Sequence, residues 1–135
     1  MTQGETEPQL GIARAPTGRL LFGVLGGAVA WSLHFLGSYA VASIGCVAGW
    51  QGIRTMLGVG TLVLGAIAVW STLVALREWR RVSGDQPMDV ALGEPRGWFA
   101  FLMLTGILLG GVSVLTIVLE GFGTLTLAAC GWNVR

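Results

Sequence analysis

Apolar residues dominate this chain in three long runs, separated by short polar stretches. No Asp, Glu, Lys or Arg falls between Arg19 and Arg54, and the first run occupies Leu20 to Ile44 of that interval. As a helix rising about 1.5 Å per residue it reaches roughly 37 Å, enough to cross a hydrocarbon core of about 30 Å with some tilt. A second run covers about 55–76 and a third about 98–119, the latter opened by Trp98 and Phe99, whose rings suit the headgroup boundary. The connection at 45–54 is short enough to force the first two spans into an antiparallel hairpin. Gly84-Asp85-Gln86-Pro87 and Gly93-Glu94-Pro95 mark 77–97 as a polar loop. The pattern therefore predicts an all-α integral membrane fold with three transmembrane helices. Residues 1–18 are expected to form a disordered tail, 19–135 the membrane domain, and 120–135 an external tail too short to cross again.

Composition sharpens this picture. The chain is 53% hydrophobic and 11% charged, more apolar than a soluble core of 135 residues hides. Its 22 glycines, with Gly23 and Gly27, Gly45 and Gly49, and Gly106 and Gly110 at small-xxx-small spacing, read as close-packing positions between helices. Every basic residue is an arginine, the net charge is +1, and no basic cluster offers a nucleic-acid surface. Arg14, Arg19, Arg77, Arg80, Arg81 and Arg96 fall on one side of the expected topology, and only Arg54 and Arg135 on the other. The positive-inside rule then makes the amino terminus and the 77–97 loop cytoplasmic and the carboxyl terminus external. The first run exceeds a signal-peptide core and precedes two further spans, so it is expected to be a retained anchor.

Few residues carry chemistry. His34 is the only histidine and lies deep in the first span, where a polar ring calls for a functional hypothesis. Counting depth from the cytoplasmic ends sets it level with Gly65 and with Val112 or Ser113. This small-residue layer, in which Gly65 and Gly111 are expected to pack closely, makes Ser113 the expected hydrogen-bond partner. Alternatives are a contact with a partner or lipid, a proton path, or a haem ligand. The last would need a second axial group from another chain, because Met56 and Met103 fall at other depths. Glu120 closes the third span, with Tyr39 expected within reach; Ser38 completes the intramembrane polar set. Trp50, Trp79, Trp98 and Trp132 read as interfacial anchors. Cys46 and Cys130 fall on the same external side, where an oxidising compartment favours a disulfide; free thiols, or lipidation of Cys46, are the alternatives. No nucleophile–base pair, phosphate loop, carboxylate pair or metal-spaced Cys/His set is present, so no catalytic, metal or cofactor-binding residues are expected, and no enzyme activity.

Trp31-Ser32-Leu33-His34-Phe35, followed by Tyr39 and Cys46, with Cys130 after the last span, resembles small multi-span membrane proteins associated with bacterial haem-copper cytochrome c oxidases. The resemblance implies a non-catalytic accessory or assembly role beside a redox core in the bacterial inner membrane. It also implies other membrane subunits as partners and no cofactor of its own. A small self-associating transporter or channel, or a haem-b anchor using His34, are the competing readings.

Overall fold

The computed structural model describes residues 17–84 and 97–126, and these form three α-helices: α1 (Thr17–Ala48), α2 (Ile53–Ser83) and α3 (Gly97–Thr126). All three are long and apolar enough to cross a membrane, which makes the chain a multi-pass membrane protein by length and composition. Each helix packs against both of the others.

Every helix outruns its predicted span. α1, with 32 residues, is about 48 Å long. α2 continues through Arg77 to Ser83, into what the sequence suggests is loop, and α3 continues past Glu120 to Thr126, into the expected tail. The sequence boundaries follow charge and glycine, whereas the helices stop only where their backbone hydrogen-bonding ends. α1 gives way to α2 within residues 49–52. Gly49 and Gly52 both adopt positive φ there, 64° and 98°, a conformation that residues with a Cβ rarely take. The Trp50 N–H donates to the Gly45 carbonyl and closes the turn.

The helices meet backbone to backbone. A Cβ built on Gly27 would lie 2.8 Å from the Gly110 Cα, and one on Gly106 would lie 2.8 Å from the Gly23 carbonyl oxygen. Both contacts are closer than any side chain permits, so the paired glycines of α1 and α3 fix the parallel register of these two helices. Gly110 also faces the Thr72 hydroxyl, which brings α2 to the same point. On the α1–α2 side, the missing Cβ of Gly26 admits Ser71, whose hydroxyl donates to the Phe22 carbonyl at 2.8 Å. Interhelical hydrogen bonds of this kind contribute about 0.6 kcal/mol on average in membranes. Ala30, Ala68 and Ile117 fill the core between these contacts. Gly45 completes the set by making room for Ile53 across the hairpin.

The small-residue layer expected beside His34 is therefore built differently. A Cβ on Gly65 would meet Ile117 at an ordinary 3.7 Å, and Gly111 faces open space. Gly23, Gly27, Gly106 and Gly110 do the packing instead, nearer the end of the bundle where α1 begins.

Candidate polar site between the three helices

Glu78, Arg19 and Arg81 form the first polar cluster, at the end where α1 and α3 start. Glu78 is 5% exposed, and its carboxylate accepts from Arg81 at 3.2 Å and pairs with Arg19 of α1 at 3.5 Å. The extension of α2 beyond residue 76 creates this cluster by carrying a nominal loop carboxylate onto the α1 interface. Arg77, next to Glu78 in the chain, reaches back two turns along α2 to Trp70, with the guanidinium 5.9 Å from the ring centroid.

The second cluster draws one residue from each helix. His34 of α1 is 2% exposed, and both of its ring nitrogens are engaged. Nδ1 lies 3.1 Å from Oε2 of Glu120 on α3, and Nε2 lies 2.9 Å from Oγ1 of Thr61 on α2. Thr61 in turn donates its hydroxyl to the Leu57 carbonyl at 2.8 Å. The absent Cβ of Gly121 lets the Thr61 side chain lie against α3. Three helices are thus joined by one imidazole.

These partners differ from the expected ones, for reasons of register. Ser113 is buried but donates to the Leu109 carbonyl of its own helix at 2.8 Å. Tyr39 is 72% exposed, and Glu120 turns to His34 rather than to the phenol. Equal-depth counting assumes that the spans start level. The glycine contacts instead align Gly27 with Gly110, and two turns further on that register sets His34 beside Ile117. This is about one turn beyond Val112 and Ser113. Long helical side chains lean toward the helix amino terminus, which brings the Glu120 carboxylate back to the imidazole. On α2 the error is also one turn, from Gly65 to Thr61. Thr61 carries no distinguishing signal in the sequence; it is one of several hydroxyls in the second span, four residues from Gly65. Ser38 is half-buried on the next turn of α1, outside these contacts.

No family model, curated protein or solved structure matches the chain. The site must therefore be interpreted from its own geometry. A haem iron needs an imidazole nitrogen with a free lone pair and room above it. His34 offers neither, because Thr61 and Glu120 occupy its two nitrogens inside the packed bundle. Among the described residues, no group of three or more His, Cys, Asp or Glu gathers as a metal-binding set. Cys46 is half-buried near the end of α1, and the expected bridge to Cys130 falls outside the described residues. Trp50 and Trp98 are exposed at helix ends, as anchors would be; Trp132 also falls outside the described residues.

Proposed function

We propose that this chain is a non-catalytic subunit or assembly partner of a larger membrane complex. The complex is of the respiratory, cytochrome c oxidase type that the sequence resembles, in a bacterial inner membrane. One observation carries the reading: Gly37 and Gly111 lie within their spans and face outward, with nothing within 4 Å of the position a Cβ would take. A mid-helix glycine costs up to about 1 kcal/mol relative to alanine, and against lipid nothing is gained in return. Against a helix of another subunit it permits the same backbone approach that Gly27 and Gly110 make within the bundle. Among the described residues, the polar side chains between the helices bond to one another or to backbone, which favours this reading over a transporter.

Replacing Gly111 or Gly37 with Leu tests this. The isolated three-helix bundle should be no less stable than the parent, since neither change touches the interior and leucine favours the helix more than glycine does. On gentle detergent extraction the parent should migrate as a larger assembly with haem-bearing chains, and the variants as the bare subunit. A parent that runs alone, with no visible absorbance in its fraction, removes the proposal.

The orientation that accompanies this reading has the arginine-bearing end, with Arg19, Arg77, Arg80 and Arg81, in the cytoplasm. A reporter fused after Arg135 should then behave as external and one inserted at Gln86 as cytoplasmic. The opposite pair of signals reverses the topology.

A further inference from the structure

We infer that His34 and Glu120 together form a binding site for a single exchangeable proton, opened from one end of the bundle only. Thr61 has one hydroxyl hydrogen and two acceptors in reach, the Leu57 carbonyl at 2.8 Å and His34 Nε2 at 2.9 Å; when the carbonyl receives it, the Thr61 oxygen accepts from a His34 Nε2–H. With Nε2 protonated, Nδ1 and Glu120 Oε2 can sit 3.1 Å apart only if one further proton lies between them. That proton makes the pair either imidazolium with carboxylate or imidazole with carboxylic acid, and both forms are neutral overall. A bare Nδ1 lone pair facing a bare carboxylate oxygen at this distance would be repulsive.

When the proton departs to water, the pair has one way to keep both contacts. The remaining ring hydrogen must sit on Nδ1, donating to the carboxylate, and Nε2 becomes an acceptor. The Thr61 hydroxyl then turns from Leu57 to donate to Nε2. Protonation is thus written into the imidazole tautomer and read by a hydroxyl on α2. A second proton would instead leave a cation on a ring whose side chain is 1% exposed, whereas the carboxylate that carries the charge after proton loss is 30% exposed. The site therefore alternates between neutral and anionic forms.

Access is one-sided. Glu120 supplies the opening, near the end where α1 joins α2 and α3 finishes. Toward the other end the Gly27–Gly110 and Gly23–Gly106 contacts leave no space for water between α1 and α3, and Met103 and Ala100 are buried below them. No other titratable side chain from α1, α2 or α3 contacts the imidazole among the described residues; the Glu78 cluster lies at the far end. This inference stands whether or not the chain belongs to a respiratory complex.

Because His34 is the only histidine, ¹⁵N-histidine labelling of the whole protein in lipid vesicles yields one imidazole to observe. Across the pH range in which circular dichroism shows the bundle intact, the parent should pass from a ring protonated at Nε2 to one protonated at Nδ1 alone as pH rises. In Glu120→Gln the amide donates to Nδ1 and should hold the Nε2–H tautomer, abolishing the exchange. A parent ring whose tautomer and protonation never change with pH overturns the site. So does a tautomer exchange that persists unaltered in Glu120→Gln, since the proton would then belong to the imidazole alone.

Discussion

Gly110→Leu should detach α3 from the hairpin. The new side chain would have to occupy the place of the Thr72 hydroxyl, with the Thr72 Cβ 3.3 Å from its first carbon, at the point where α2 meets the α1–α3 contact. Overpacking a well-filled core costs about 1 to 3 kcal/mol, and a Leu set against the branched Thr72 side chain where all three helices meet belongs at the upper end, about 3 kcal/mol. Reversible unfolding in mixed micelles measures the loss, with Gly111→Leu one residue away as the control that should leave the bundle unchanged. Equal stability of the two variants would mean that the glycine contacts do not hold α3.

Thr61→Val should destabilise the bundle by about 2 kcal/mol, although it preserves shape. Valine keeps the branched carbon that lies against Gly121 but can neither accept from nor donate to His34 Nε2, so a ring nitrogen is left unsatisfied where no water replaces the partner. Thr61→Ser, which restores the oxygen, should recover most of the loss. If Val and Thr behave alike in the unfolding assay, the Nε2 contact carries no weight.

Much of the architecture is legible in the sequence because the bilayer imposes length and charge rules that are local. Three apolar runs and the intervals between Arg19, Arg54 and Arg77 suffice to read the helices and their antiparallel hairpin. The glycine pairs at spacing four mark close-packing positions, and two of the three pairs lie on the α1–α3 contact, though nothing in the spacing says which helices meet. Register is a different matter, because it depends on which glycine of one helix meets which glycine of another, and no single run encodes that choice. An error of one turn, about 5 Å, moved the expected partner of His34 from Glu120 to Ser113. His34 and Glu120 were each recognisable as costly intramembrane polar groups; their pairing was not. Thr61 and Glu78 were missed for opposite reasons. The first is an ordinary hydroxyl whose role exists only through the ring it faces, and the second sits in charged sequence, which looks like loop when apolar content is the signal.

The tight turn at Gly49–Gly52 bears on how the protein is made. With only residues 49–52 between them, α1 and α2 leave no soluble segment in which one helix could wait on the far side of the membrane while the other inserts. Such a short connection couples the insertion of the two helices during synthesis. α3 follows separately, after the polar stretch beyond Gly84. Until it docks, His34 and Thr61 face a side still lacking Glu120. The order of synthesis therefore makes the last helix the one that completes the polar site, and a nascent chain stalled before α3 would present His34 without its carboxylate.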